Sequence, residues 1–157
     1  MIFVTVGHQM PFNRLIEVID NWAKKNQSLQ IFAQIGNTDY TPLNIEYTND
    51  LLPSQFNQRI ANADIVIAHA GTGTIIKALQ SSKLIFVMPR LASLNETRND
   101  HQKDTVKYFL HRGLIETFTN EEQLDELFSR NLSPKSITVS PFASKQLLES
   151  VRQFISN

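Results

Sequence analysis

Short apolar runs alternate along the chain with segments whose apolar residues recur every three or four positions. Residues 2–6 form the first apolar run, and helical spacing follows in a set made up of Phe12, Leu15, Ile16, Ile19 and Trp22. Such spacing predicts an amphipathic helix, and Pro11 suits its first turn. Residues 7–10, which lie between this strand and this helix, are therefore predicted to form a loop.

The same alternation predicts the rest of the secondary structure. Further strands are predicted at residues 29–35, 45–47, 65–68, 84–88 and 114–115. Further helices are predicted at residues 53–62, 74–80, 101–111, 121–128 and 142–155. Because strands followed by helices are typical of parallel sheets covered on both faces, the predicted fold class is α/β, with a Rossmann-like open, mostly parallel sheet.

Two of these helices carry more detailed expectations. In the helix at 101–111, the side chains of Val106, Phe109 and Leu110 are expected to point into the core, and Gly113 is expected to end the helix. The helix at 142–155 has one apolar side, so it is expected either to pack within the domain or to dock on a partner.

Length and composition narrow the classes of function. At 157 residues the chain is predicted to be a single domain, residues 1–157. Fifteen basic and fifteen acidic residues give a formal net charge of zero, which argues against nucleic-acid binding. With no cysteine, and with four histidines that lack a short metal-ligand spacing, no metal site is predicted. No apolar segment reaches the roughly 18 residues of a membrane-spanning helix, so the chain is not expected to span a membrane by itself. The lack of cysteine fits a reducing cytoplasm, and a cytoplasmic location is expected.

The loop after the strand at 65–68 consists of small residues. Gly71 and Gly73 would let backbone N–H groups approach a phosphate closely, and Thr72 and Thr74 would add hydroxyl groups. The alternative is an ordinary strand-to-helix turn in which a threonine caps the helix.

Polar residues beside this loop and after the next strand could also carry chemistry, and each has a structural explanation too. His69 is either a core histidine bonded to backbone or a group whose protonated form stabilises a leaving nucleotide. Arg90 either neutralises a phosphate, pairs with Glu96 or lies on the surface. Asn99 either contacts a ligand or caps the helix that follows it.

The small-residue loop, the turn at residues 88–90 and the polar block at residues 95–102 together resemble the C-terminal, donor-binding half of GT-B glycosyltransferases related to MurG. The resemblance extends over nearly the whole chain and is most specific in the polar block. Within that group the chain is most similar to the small catalytic subunits of split enzymes. These are the PssE/EpsF-like proteins of bacterial exopolysaccharide and capsule synthesis, and the small subunit of the eukaryotic lipid-linked N-acetylglucosamine transferase.

This resemblance implies half of a GT-B fold that binds a UDP-sugar and transfers its hexosyl group to a lipid-linked saccharide, with inversion and without a metal. The UDP-sugar would be a substrate, and no cofactor is implied. In GT-B enzymes the general base commonly comes from the N-terminal half. A membrane-anchored PssD/EpsE-like partner is therefore expected to supply the acceptor site and to hold the protein at the inner face of the cell membrane. The resemblance does not decide whether the chain also forms a homo-oligomer.

The resemblance also assigns roles to individual site residues. The loop that contains Gly7 and His8 would face the diphosphate, and so would the loop at residues 71–74. Glu96 would accept hydrogen bonds from sugar hydroxyls. Gln102 would both donate hydrogen bonds to the donor sugar and accept them from it.

One position departs from the family pattern. Where family members commonly carry an acidic residue that bonds the nucleotide ribose, this chain has Lys77. Lys77 and the lack of an obvious general base favour an alternative function, a non-catalytic nucleotide-binding regulatory module with the same fold. The polar block at residues 95–102 favours the enzyme. A nicotinamide-dependent dehydrogenase is disfavoured because no G-x-G-x-x-G motif follows the first strand.

Overall fold

A computed structural model of the protein describes residues 1–138, so the helix predicted at 142–155 lies outside the described residues. A single six-stranded sheet forms the centre of the described part. Its strands are β1 (Ile2–Thr5), β2 (Ile31–Gln34), β3 (Glu46–Thr48), β4 (Ile65–His69), β5 (Leu84–Met88) and β6 (Glu116–Thr117). The α-helices are α1 (Asn13–Lys25), α2 (Pro53–Asn62), α3 (Thr72–Gln80), α4 (His101–His111) and α5 (Glu121–Ser129).

Every strand pair in the sheet is parallel, which confirms the predicted fold class. The strands lie in the order β3-β2-β1-β4-β5-β6. The order of the strands therefore reverses between β1 and β4, and ligands of open α/β sheets bind outside the carboxyl ends of the strands at such a point. The loops after β1 and β4 are neighbours at this edge.

Each face of the sheet has its own apolar core, because alternate residues of a strand point to opposite faces. Val4 and Ile67 pack on the face covered by α1 and α5. Phe3 and Val66 pack on the face covered by α2, α3 and α4. Burial of both faces explains why the strands are almost continuously apolar in sequence.

The beginnings of two helices differ from the prediction. Helix α1 begins at Asn13 with Phe12 as its N-cap residue, so Pro11 lies before the first turn rather than in it. The Pro11 carbonyl instead accepts a hydrogen bond from the side chain of Arg90. Helix α3 begins at Thr72, two residues earlier than predicted.

At the far side of the sheet, α4 is confirmed at its predicted bounds. Gly113 follows it with a φ of +62°, as expected of a residue that ends a helix. Leu110 was expected to face inward but is 41% exposed, because α4 lies over the short edge strand β6 and buries a narrow stripe that contains Val106 and Phe109. None of the helices within residues 1–138 is both long enough and apolar enough to cross a membrane.

Candidate functional site

A cavity of about 420 Å³, here called the main cavity, opens at the carboxyl ends of β1 and β4. Its walls come from residues 7–9, from residues 69–74, and from a third group made up of Thr97, His101, Gln102 and Thr105. A second cavity of about 580 Å³, the adjoining cavity, is lined by residues 8–10, 97–99 and 101. The two cavities share four residues, so they form one continuous polar surface: His8, Gln9, Thr97 and His101.

Most of the predicted site residues lie along this surface. Those that line the main cavity are Gly7, His8, His69, Gly71, Thr72, Gly73, Thr74 and Gln102. Asn99 lines the adjoining cavity. Arg90 and Glu96 line neither of the two, and the half-buried Lys77 on α3 also lies outside their walls.

Two polar side chains that the sequence analysis did not identify, Thr5 and Gln34, form hydrogen bonds with the backbone of Gly7. Its backbone N–H donates to Thr5 Oγ1 at 3.2 Å, and its carbonyl accepts from Gln34 Nε2 at 3.1 Å. The Thr5 hydroxyl in turn donates to Gln34 Oε1 at 2.7 Å. Both side chains are buried, and both interrupt otherwise apolar strands, which was the available signal in the sequence. This pair fixes Gly7 at a φ of +76°, a conformation that favours glycine.

The imidazole of His69 is wedged between the loops after β1 and β4. A Cβ atom added at Gly7 would lie 2.6 Å from His69 Cε1, and one added at Gly71 would lie 2.2 Å from His69 Nε2. A Cβ atom added at Gly73 would meet no atom of residues 1–138 within 4 Å. Gly7 and Gly71 therefore leave room for the ring, whereas the open side of Gly73 is free for a ligand.

His69 is neutral at physiological pH. Burial, and after it the positive charge of Arg90, lower the pKa of His69 to about 4. Its Nδ1 atom is buried and has no hydrogen-bond partner among the described residues. This pKa does not favour the expectation that a protonated His69 stabilises a leaving nucleotide, and that role stays a prediction.

We expect His69 to make the stability of the protein depend on pH. In the unfolded chain its pKa is 6.5, so as the pH falls from 6.5 towards 4 the unfolded state takes up a proton that the folded state does not. The free energy of unfolding should then decrease by about 3 kcal/mol at the full extent of the shift. Urea unfolding at about pH 7 and about pH 4.5 should show a decrease roughly 2 kcal/mol larger in the wild type than in His69→Gln. An equal decrease in both proteins would contradict a neutral, buried His69.

Helix α3 begins at the main cavity without a side-chain cap. Its N-cap residue is Gly71, so the alternative of a threonine cap is wrong. The N–H groups in the first turn of a helix have no partner within the helix, and those of Thr72, Gly73 and Thr74 occupy these positions. Free N–H groups and the helix dipole together favour an anionic ligand at this end of α3.

Gln102 presents a fixed amide to the main cavity. Its Oε1 atom accepts a hydrogen bond from the backbone N–H of Arg90 at 3.1 Å. Because a backbone N–H can only donate, the oxygen must be the end of the amide that faces Arg90, and the NH₂ group is left for a ligand. Gln102 was expected to donate and to accept, but the structure leaves donation as its main role. Such a donor suits phosphate or sugar oxygens.

Glu96 does not reach the main cavity as expected. Its two carboxylate oxygens accept from Arg14 Nε and Nη2, each at 2.8 Å, and Oε2 also accepts from the backbone N–H of Leu91 at 2.9 Å. Arg14 Nη2 further donates to the Pro89 carbonyl at 2.8 Å. The carboxylate therefore joins α1 to the loop after β5. No pattern in the sequence identifies Arg14 as its partner.

Arg90 also differs from each of its expected roles. Its side chain is only 1% exposed, so it is neither a surface residue nor within reach of a phosphate in the cavities. It does contact Glu96, but at the backbone carbonyl rather than at the carboxylate. Asn99 is not the cap of α4, because Asp100 holds that position.

The walls of the two cavities are suited to an anionic, oxygen-rich ligand. Among the described residues that line them there is no carboxylate, whereas His8, Arg98 and His101 are present. Residues 1–138 contain no group of three or more histidine or acidic side chains that could hold a metal ion. The described walls therefore present donors at the first turn of α3 and at Gln102, and no acidic group.

Comparisons with known proteins identify the family and the fold of the chain. The profile of the family described as glycosyltransferase family 28 C-terminal domain matches residues 1–155. No protein of curated function matches the sequence significantly.

Solved structures share the fold at low sequence identity. The glycotransferase of kitacinnamycin has a TM-score of 0.62 and 18% identity, over 80% of this chain and 33% of that chain. The NMR structure of ALG13 has a TM-score of 0.61 and 17% identity, over 96% of this chain and 93% of that chain. MurG of Acinetobacter baumannii has a TM-score of 0.57 and 20% identity, over 81% of this chain and 40% of that chain. The chain thus spans about a third of the kitacinnamycin protein.

Proposed function

The chain belongs to the glycosyltransferase family 28 C-terminal domain family, and from that premise we propose that residues 1–157 form one nucleotide-sugar-binding domain that holds a UDP-sugar in the main cavity. The observation that carries the proposal is the uncapped first turn of α3, which faces a cavity without carboxylates among its described walls. A diphosphate matches this surface in charge and in its number of acceptor oxygens.

The proposed reaction transfers a hexosyl group with inversion. The bond between the anomeric carbon and the phosphate oxygen breaks, and its electron pair leaves with UDP. A hydroxyl oxygen of the acceptor bonds to the opposite face of the same carbon and loses its proton to a general base. The N–H groups of Thr72, Gly73 and Thr74 and the amide of Gln102 stabilise the growing negative charge on UDP. These donors provide that stabilisation without a divalent cation.

A partner subunit supplies the general base in this proposal. The described walls of the cavities offer no carboxylate, and His69, with a pKa of about 4, is a weak base. By the family resemblance, the partner is a membrane-anchored, PssD/EpsE-like protein that also binds a lipid-linked saccharide, as in exopolysaccharide or capsule synthesis. The protein would then act at the inner face of the cell membrane.

The same lack of a carboxylate favours a second candidate, a regulatory module that binds a nucleotide without catalysis. The two candidates differ when the chain is purified together with a partner subunit. Transfer or hydrolysis of a UDP-sugar by the complex would support the enzyme. UDP binding that never leads to turnover would support the regulatory module.

Gly73→Ala tests the proposed site directly. The protein has room for the new methyl group, and alanine is about 1 kcal/mol better than glycine within a helix, so stability should be unchanged or higher. Because the methyl group would enter the cavity beside the N–H groups of α3, the affinity for UDP should fall about tenfold or more.

Calorimetric titration with UDP and a panel of UDP-hexoses measures this effect and names the preferred sugar. Gln80→Ala, at the far end of the same helix and outside the cavity walls, is the matched control and should bind as the wild type does. Wild-type affinity in Gly73→Ala would mean that the ligand does not approach this turn of α3.

A further inference from the structure

The buried side chain of Arg90 makes three hydrogen bonds to backbone carbonyls, and nothing in the proposed reaction uses it directly. Its Nη1 atom donates to the carbonyls of Pro11 at 2.8 Å and Glu96 at 2.9 Å. Its Nη2 atom donates to the carbonyl of Val6 at 2.9 Å. These acceptors lie in two loops that are far apart in sequence, the loop after β1 and the loop after β5.

No carboxylate among residues 1–138 pairs with the buried guanidinium. It lies over the ring of Phe12, with its central carbon 4.6 Å from the ring centroid. The carboxylate of Glu96 is bonded to Arg14 instead. Burial lowers the pKa of Arg90 to about 10, so it stays protonated at neutral pH. A charge buried in this way is costly unless it is hydrogen-bonded, and the backbone carbonyls accept from three of its five N–H donors.

The backbone of Arg90 connects the same residue to the main cavity. Its N–H donates to Gln102 Oε1 and so orients the amide that faces the ligand. The loop that contains Val6 and Pro11 also carries residues 7–9, which form the opposite wall of the main cavity. One buried residue is thereby bonded to both walls.

We propose that Arg90 is a positioning residue, which ties the loop after β1 to the loop after β5 and thereby sets the distance between the two walls that hold the diphosphate. This inference rests on the proposed function. Arg90 does not touch the ligand, and it acts through residues 7–9 and through Gln102. Arg14, which bonds Glu96 and the Pro89 carbonyl, is a second tie nearby, so the loops should stay folded when Arg90 is replaced.

The test compares Arg90→Met, which fills similar space without hydrogen bonds, with Arg90→Lys, which keeps the charge. A lysine presents its donors from one point and cannot span three carbonyls that come from two loops. In titrations of folded protein with UDP, Arg90→Met should lose affinity about tenfold or more, and Arg90→Lys should lie between it and the wild type. Trp22→Phe is the control for lost stability, since it removes the bond from Trp22 to Asp125 near the other end of α1.

A spectroscopic readout separates positioning from a merely structural role. In the wild type, UDP should shift the NMR signals of the Gln102 side-chain NH₂ group and of the His8 and Thr97 backbone amides together. In Arg90→Met, these shifts should shrink or no longer occur together. If Arg90→Met loses stability but keeps wild-type affinity and shifts, the inference is overturned while the proposed function stands. If the wild type does not bind UDP, the proposed function itself is overturned, and this inference with it.

Discussion

Replacement of Gly71 by alanine is expected to destabilise the protein by about 3 kcal/mol, the upper part of the usual range for overpacking. The new methyl group would lie 2.2 Å from Nε2 of His69, 2.9 Å from Cε1 and 3.0 Å from Cδ2. The ring cannot move away freely, because Gly7 contacts its other side. Gly71 itself has an ordinary φ of −79°, so backbone strain does not contribute. The loss should therefore arise from the clash with His69.

A double-mutant cycle measures this clash. His69→Ala removes the ring, so Gly71→Ala should cost little in that background, and the two changes should couple by about 2 kcal/mol or more. Equilibrium urea unfolding of the four proteins at neutral pH gives the coupling energy. Gly73→Ala is the matched control, because it adds the same methyl group two residues further along, where none of the described residues lies within 4 Å. Additive losses at Gly71 and His69 would show that the ring is not the obstacle.

Gln102→Glu is expected to weaken UDP binding about 100-fold, which is close to 3 kcal/mol. The substitution keeps the shape of the side chain and an oxygen that can accept from the backbone N–H of Arg90. It replaces the NH₂ group, the end that faces the ligand, with a negatively charged acceptor. The carboxylate would repel a diphosphate in a cavity whose described walls otherwise lack acidic groups.

Comparison with Gln102→Met decides which end of the amide acts on the ligand. Methionine lacks both the acceptor for Arg90 and the donor for the ligand, but it adds no charge. If the NH₂ group donates to the ligand, Gln102→Glu should bind UDP more weakly than Gln102→Met. The difference in affinity should shrink as salt is added, because salt screens the repulsion. If Gln102→Glu binds UDP as tightly as the wild type and Gln102→Met binds it more weakly, Gln102 acts only by accepting the hydrogen bond from Arg90. Calorimetric titration at two ionic strengths measures all three proteins.

The two experiments address different properties of one surface. The Gly71 cycle measures how the loops after β1 and β4 are spaced by the His69 ring, and its result does not depend on any ligand. The Gln102 series measures how the wall formed by α4 recognises charge. Gly71→Ala and His69→Ala could couple while Gln102→Glu binds UDP with wild-type affinity. That combination would support the described loop geometry and remove the argument that Gln102 of α4 contacts the diphosphate.

Much of the fold was predictable because it depends on short-range patterns. The bounds of α2 and α4 and the strand β5 follow from apolar spacing and from the residues that begin and end helices. The errors also have local causes. Pro11 lies outside α1 because Phe12 is buried at the N-cap and the Pro11 carbonyl is bonded by Arg90. Leu110 is exposed because β6, the strand beneath α4, is only two residues long.

For the candidate site, the sequence alone determined which loops form it, whereas the tertiary structure decided the hydrogen-bond partner of each side chain. Parallel strands bring their carboxyl ends to one edge, so an alternating α/β pattern places the loops of Gly7, Gly71 and Gln102 together. The bonds from Arg14 to Glu96 and from Arg90 to Val6 join residues 82 and 84 positions apart. Such bonds depend on strand order and loop paths, which arise from packing of the whole domain and leave no local pattern. Only the folded chain could show that His69 fills the space beside two glycines.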